Sequence, residues 1–394
     1  MPAHILIAGA GIGGLTAALA LTQSRRGHRV DVLEQALEFG EIGAGVQLGP
    51  NATRRLRGLG LGSALDEIAA WPSALVVRSA GDGAELARLP LGDTLRERYG
   101  APYQCVHRAD LHAMLVAAAR ARENIELWPD AHVNDVHAGD DTVCAATVSA
   151  RAWEGDGLVG ADGLWSKVRR EVDPRAEAPS ATGHTAWRGL VDQSVLRPAQ
   201  RRRNVEVWLG PKLHAVAYPV RGGRCLNVVV LAEASPTGDA HDWDQASSLD
   251  ALQRAIGQCG VPLQALLEAV PDWRVWTLSD RAPLASPAGM ANGRVALLGD
   301  AAHPMLPYLA QGAGMAIEDA IALAESLAEA GPADVANAFK RYATARWQRN
   351  AHVQSRARRN GTIFHALGPM RLARDLAMRA LGARLLDQPW LYAG

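Results

Sequence analysis

Short apolar runs separated by glycine turns open the chain. Residues 4–8 are mostly apolar, residues 9–14 are rich in glycine, residues 15–23 are dense in Ala and Leu, and residues 28–33 form a second strand-like run. Runs of this length bounded by turn residues read as strand, tight turn, helix, strand. That is the opening unit of a doubly wound parallel sheet. Two later stretches repeat the strand-then-turn pattern. Residues 156–163 run into Asp162-Gly163 and a polar helix over 166–171. Residues 293–298 run into Gly299-Asp300, a proline-containing loop and a long Ala-rich helix from about Gly314. Between these two stretches lie β-type segments at 184–191, 205–209, 213–220 and 226–231. No helical pattern separates them, which predicts a mostly antiparallel sheet. Beyond residue 316 the pattern is helical to the end.

The expected fold is α/β. A Rossmann-like nucleotide-binding domain is assembled from residues 1–70, 101–175 and 290–320. A β-rich domain is inserted from residues 71–100 and 176–289, and helices close the chain over 321–394. A length of 394 residues fits this division, because one core rarely serves so long a chain.

Composition acts mainly by exclusion. Hydrophobic residues make up 48% and charged residues 21% of the chain, as in an ordinary globular protein. The formal net charge is zero, so nothing draws the chain to nucleic acid or to an anionic membrane. Cys105, Cys144, Cys225 and Cys259 are scattered, with neither metal-ligand spacing nor a disulfide framework. The expectation is a reducing cytoplasm and no bound metal. Residues 5–21 lack charge and approach the length of a membrane span. No Lys or Arg precedes them and four glycines crowd their first half, so they read neither as a signal nor as an inserted segment.

Gly9-Ala10-Gly11-Ile12-Gly13-Gly14 matches G-x-G-x-x-G. In that pattern the first glycine makes the turn, the second lets the backbone approach a pyrophosphate, and the third lets helix and strand pack closely. The phosphates rest on the helix N-terminus, where free N–H groups favour negative charge. Glu34 follows 20 residues past Gly14, at the end of the next apolar run, where a carboxylate accepts hydrogen bonds from a ribose. Gln35 stands beside it. The fingerprint alone does not separate FAD from NAD.

Three further segments do. They are Glu41-Ile42-Gly43-Ala44-Gly45-Val46-Gln47-Leu48; Gly160-Ala161-Asp162-Gly163 with Ser166 and Arg169; and Gly299-Asp300-Ala301-Ala302-His303-Pro304, which leads to Gln311-Gly312-Ala313-Gly314-Met315 and Glu318-Asp319-Ala320. With the fingerprint, they resemble the single-component FAD aromatic hydroxylases of the para-hydroxybenzoate and salicylate hydroxylase type. The resemblance runs in order over almost the whole chain. It implies FAD as cofactor, with Asp300 holding the ribityl chain and the helix near Gly312 to Met315 facing the flavin N1–C2=O edge. A helix N-terminus there would stabilise negative charge on the reduced ring. Gly45 and Val46 belong to the same cofactor set. Arg108 matches the family's arginine near the cofactor, and Asp162 is similar to the motif that contacts both cofactors. NADH or NADPH is implied as a transient reductant, in keeping with a single glycine fingerprint in the sequence.

The family chemistry uses O2 through a flavin C4a-hydroperoxide to hydroxylate an electron-rich ring, here expected to be a small phenolic acid of the 3-hydroxybenzoate or salicylate kind. A free phenol has a pKa of about 10, so a buried base is needed to activate it at neutral pH. Within Leu213-His214-Ala215-Val216-Ala217-Tyr218-Pro219, His214 and Tyr218 fall on one face of a strand, ~13 Å apart at Cα by strand rise. That separation lets them touch a ring from two ends. The His-x-x-x-Tyr-Pro pattern resembles the branch containing 3-hydroxybenzoate 6-hydroxylase and 6-hydroxynicotinate 3-monooxygenase, in which both residues face substrate.

Gln47 is closer to the hydroxybenzoate enzymes. Pro307 stands where those enzymes tend to carry Gln, so a relay through that position is absent and Tyr308 is the neighbouring hydroxyl. Gln47, Pro307 and Tyr308 complete the expected substrate set. A hydroxypyridine carboxylate and a larger aromatic metabolite remain alternative substrates. Tyr103, Trp187 and Arg188 are open between pocket and core roles. Arg346, Arg349, Arg356, Arg358 and Arg359 form a basic run of the kind usually found on a solvated helix face, and the family alone suggests a homodimer there.

Overall fold

The computed structural model describes residues 1–40, 43–235 and 238–394. Glu41 and Ile42, which open the second glycine-rich segment, lie outside the described residues. The first sheet has six strands in the order Ala291–Asn292, Val295–Leu297, Gly157–Gly160, His4–Ala8, Arg29–Leu33 and Ile125–Trp128. All neighbours are parallel except at the Ala291–Asn292 edge. The strands are apolar on both faces, as a helix-covered parallel sheet requires. The helices Ile12–Gln23 and Gly312–Leu327 pack close together beside this sheet. Gly13 makes the approach possible, since a Cβ there would meet Leu298 Cδ2 at 2.6 Å and Ala316 Cβ at 3.2 Å.

The second sheet has eight strands in the order Gln245–Ser247, Trp273–Asp280, Ser180–Asp192, Cys225–Glu233, Leu213–Val220, Val205–Gly210, Ala74–Ser79 and Glu85–Pro90. Its pairs are antiparallel apart from Val205–Gly210 against Ala74–Ser79. Strand alternation sends Leu213, Ala215 and Ala217 to one face, where they join Trp187 in a core under the helices Leu249–Ile256 and Val261–Glu268. Trp187 is therefore a core residue on the far side from the expected pocket. His214, Val216 and Tyr218 occupy the other face, which meets the loop around Tyr308 and the C-terminal helices.

The helix Val335–Phe364 carries the arginine run, and the solvated-face expectation fails for most of it. Arg346 is buried, with Nε 2.7 Å from Asp319 and Nη1 2.9 Å from Glu318. Arg349 bonds Glu318 at 2.7 Å and Arg358 bonds Asp280 at 2.7 Å. Only Arg359 is plainly exposed. The reason is non-local: the acidic pair comes from another helix, which the spacing of arginines cannot reveal. Among the described residues no helix is long and apolar enough to cross a membrane.

Candidate active site

The glycine loop is built for close approach. Gly9 has φ +104°, and a Cβ there would lie 2.4 Å from the Ala161 carbonyl oxygen; at Gly14 it would lie 2.0 Å from that of Gly9. Gly11 precedes the helix Ile12–Gln23 in an extended conformation. No side chain caps that helix and its first turn has no acidic residue, so its N–H groups remain open to an anion. Glu34 accepts hydrogen bonds from the N–H groups of Ala10 at 2.8 Å and Ala36 at 2.9 Å. It thus ties the second strand to the glycine loop, while Gln35 is exposed.

The helix Gly312–Leu327 is uncapped in the same way, again without an acid in its first turn. Gly312 and Ala313 are half-buried, and Gly314 and Met315 are buried. A buried polar network fixes this helix. Asn51 donates to Gln311 at 3.0 Å and to Glu318 at 2.8 Å, His303 Nε2 contacts Asp319 at 2.5 Å, and Asn350 donates to Asp319 at 2.9 Å. Burial acts to raise Asp319, but His303 and Arg346 outweigh it and hold its carboxyl well below the usual range. Glu318 is likewise held down by Arg349 and Arg346 against its burial. Sequence spacing missed this network because its members come from four separate segments.

Asp300 follows Gly299, whose φ is +60°. Its carboxyl is accessible yet has protein on every side, the situation of a group on the floor of a cleft. Those surroundings push it up, while His303 and Arg108 pull it down. The Arg108 guanidinium lies 5.6 Å from the Trp243 ring, which Arg188 also approaches, at 5.0 Å. Arg188 is buried and paired with Asp244 at 2.5 Å. Asp162 turns into its own loop, accepting from the Ser166 hydroxyl at 2.6 Å and from the N–H groups of Lys167 at 2.7 Å and Val168 at 3.2 Å. These bonds hold an irregular turn, so the helix expected over 166–171 is reduced to Arg169–Val172. Two uncapped helix ends, a glycine cradle and an accessible carboxylate at the sheet's C-terminal edge together fit FAD.

The strand Gly45–Leu48 joins this half to the large sheet. It pairs with Gln104–His107, and the Gly45 N–H donates to Asn227 at 2.8 Å. A Cβ on Gly45 would lie 2.4 Å from the Tyr218 ring, so only glycine lets that ring pack flush on the backbone. Gln47 accepts from the Tyr103 hydroxyl at 2.7 Å. Burial raises the Tyr218 hydroxyl far above its ordinary pKa, against a side-chain hydrogen bond with Gln47. Gln47, Tyr103 and Tyr218 therefore form one neutral cluster.

At the other end of the strand His214 is 1% exposed, with Nδ1 2.9 Å from His365 Nε2. Burial, then His365 and His184, push His214 well below the ordinary histidine pKa, so it is neutral at pH 7. Tyr308 lies 5.2 Å from His214 ring to ring, its hydroxyl buried and without a partner among the described residues. Pro307 is exposed. His184 and His365 were not foreseen: they lie far from His214 in sequence and match no motif. A cavity of about 580 Å³ lined by Leu37, Phe39, Arg120, Leu127 and Pro129 lies beyond the strand that ends near Glu34. It holds none of these groups.

The FAD binding domain family model matches residues 2–357. The chain is 38% identical to 3-hydroxybenzoate 6-hydroxylase from Polaromonas naphthalenivorans (strain CJ2), over 98% of this chain and 95% of the relative. It is 40% identical to 3-amino-4-hydroxybenzoate 2-monooxygenase from Streptomyces cremeus, over 96% and 92%. Among solved structures it is similar to Klebsiella pneumoniae HpxO complexed with FAD and uric acid, with a TM-score of 0.86, 26% identity, and coverage of 99% and 96%. The fold, the cofactor cradle and these likenesses agree with the expected α/β architecture. The chain belongs to the FAD binding domain family, and within it to the FAD-dependent aromatic monooxygenases.

Proposed function

We propose that this enzyme hydroxylates a small benzoate-type acid bearing a ring hydroxyl, of the 3-hydroxybenzoate kind, using NADH or NADPH and O2. Bound FAD supplies the redox chemistry, accepting hydride and delivering one oxygen atom of O2 to the ring. The chain's residues supply the rest. His214 is the proton acceptor: it is neutral, its Nδ1 is engaged by His365, and Nε2 has no partner among the described residues. The Tyr308 hydroxyl, also unpartnered, can hold the substrate oxygen beside it. Tyr218 and Gln47 offer neutral donors at the far end, held in place by the Tyr103 hydroxyl that donates to Gln47, and suit an oxygen-bearing substituent. The buried His214 facing an unpartnered Tyr308 is the observation that carries this reading. Both named relatives act on a hydroxylated benzoate, which supports the same class.

A panel of phenolic acids, scored by NADH oxidation and by product identification, tests it. If none of them stimulates oxidation and yields a hydroxylated product, the substrate class falls. Four free cysteines support action in a reducing cytoplasm. A homodimer is also proposed, carried now by the exposed apolar residues Met370, Leu372 and Leu376 of the helix Gly368–Leu381 rather than by the arginines.

A further inference from the structure

Behind His214 lies a second cluster, of which the proposed reaction uses only the His365 Nε2 that engages His214. His184 comes from the strand Ser180–Asp192, Glu233 ends the strand Cys225–Glu233, and His365 caps the helix Val335–Phe364. One ligand atom from each lies within 4.8 Å of the other two. His365 is 3% exposed, and its Nδ1 has no hydrogen-bond partner, with Glu233 4.0 Å away. His184 Nδ1 is likewise buried and unpartnered. The two rings stand 5.1 Å apart. Two buried imidazole nitrogens without partners are costly to leave unused.

We infer that His184, His365 and Glu233 form a site for a divalent transition cation such as Zn2+, and that its occupancy disables His214. Two imidazoles and a carboxylate are a donor set that zinc accepts with water in the fourth position. Ligands at about 2.0 Å in a tetrahedron are about 3.3 Å apart, so the donors must close by ~1.5 Å. Glu233 is the exposed member, at 40% of its side chain, so the closure is assigned mainly to its rotation. The nearby cations oppose binding: Lys212 lies 3.9 Å from Glu233, and Arg374 acts on His365.

The coupling follows from tautomers. Without metal, His365 carries its proton on Nδ1 towards Glu233, and Nε2 accepts from His214 Nδ1–H. His214 Nε2 is then a proton acceptor. A cation on His365 Nδ1 moves that proton to Nε2, which donates to His214 Nδ1. The His214 proton then sits on Nε2, and the same nitrogen becomes a donor. No bond to substrate is needed, and each neutral ring keeps one proton, so the switch relocates protons without releasing any.

This inference rests on the role proposed for His214, but binding can be read without it. Metal-stripped, FAD-loaded enzyme is dialysed against Zn2+, and Co2+ is followed by its d–d absorption. One ion per chain is expected, with affinity lower by about 10- to 100-fold in Glu233→Gln and in His184→Gln, and higher in Lys212→Met. Substrate-stimulated NADH oxidation should fall in proportion to occupancy in the parent and resist Zn2+ in Glu233→Gln. Absence of binding in excess Zn2+, binding equal in the parent and both ligand variants, or full turnover of the Zn2+-loaded enzyme would each overturn the proposal. If no phenolic acid proves to be a substrate, the dialysis and the Co2+ spectrum still decide whether the site exists.

Discussion

Arg346 is the group whose removal should be felt furthest from where it sits. It is 7% exposed in its side chain and bridges Asp319 and Glu318, both with fully buried side chains, at 2.7 and 2.9 Å; it also donates to Asn350 at 3.1 Å. Arg346→Met keeps much of the volume but leaves two buried carboxylates short of a cation. Breaking a buried pair in this way costs about 3–5 kcal/mol. Glu318 keeps Arg349 and Asn51, and Asp319 keeps His303, Asn350 and the Gly299 N–H, so the lower end, about 3 kcal/mol, is expected. That is a large share of a typical folding free energy of about 5–15 kcal/mol.

The assay is urea unfolding of the parent and the variant at pH 7, with FAD content measured alongside. The acidic pair anchors the helix Gly312–Leu327, whose uncapped N-terminus is expected to meet the flavin, so the variant should also retain less flavin. Asp319 is depressed in the fold, so its stabilisation is present above its unfolded pKa of about 3.9 and is lost as pH falls below it. The gap between parent and variant should therefore narrow on acidification through that range. Arg346→Met combined with Asp319→Asn should recover part of the loss, because the orphaned charge is gone. A single-variant loss under about 1 kcal/mol, the range of an exposed pair, with no recovery in the double variant, would refute the reasoning.

Other expectations follow from single contacts. Gly45→Ala should displace the Tyr218 ring and lower turnover with little loss of flavin, read by kcat and visible absorbance. Asp300→Ala should give a pale, flavin-poor protein, and an undiminished flavin content after gel filtration would contradict its assigned place. His184, His214 and His365 are all depressed by burial, His365 to about 4. The unfolded chain binds protons first, so stability should fall as pH drops below the unfolded value of about 6.5, by up to ~1.4 kcal/mol per pH unit for each group. Denaturation from pH 7.5 to 5 should show this, with a shallower slope in His214→Asn. Leu376→Glu should shift the sedimentation of the native protein towards the monomer, and an unchanged profile would remove that helix from any interface.

The cofactor half of the site was legible because its signals are local. Gly9, Gly14 and Gly45 each answer a contact that a Cβ would destroy, and Glu34 and Asp300 sit at fixed offsets from strand ends. The strand with His214 and Tyr218 was legible from alternation alone. What holds these residues was not. The partners of His214 come from residues 184, 308 and 365, and those of Asp319 from residues 303, 346 and 350. Such pairings arise from how sheets and helices meet, and no short window records them. Asp162 adds a detail that its motif does not record: its carboxylate holds the local turn through Ser166, Lys167 and Val168.

The strand Leu213–Val220 has bonded neighbours on both sides, Cys225–Glu233 and Val205–Gly210. Neither His214 nor Tyr218 can shift along it without breaking two ladders at once. The proposed site is thus a gauge with one fixed jaw. Its movable jaw is the segment around Pro307 and Tyr308, short, irregular and outside any ladder. A chain of this architecture would acquire a new aromatic substrate most readily by exchanging that segment, with the strand opposite it left untouched.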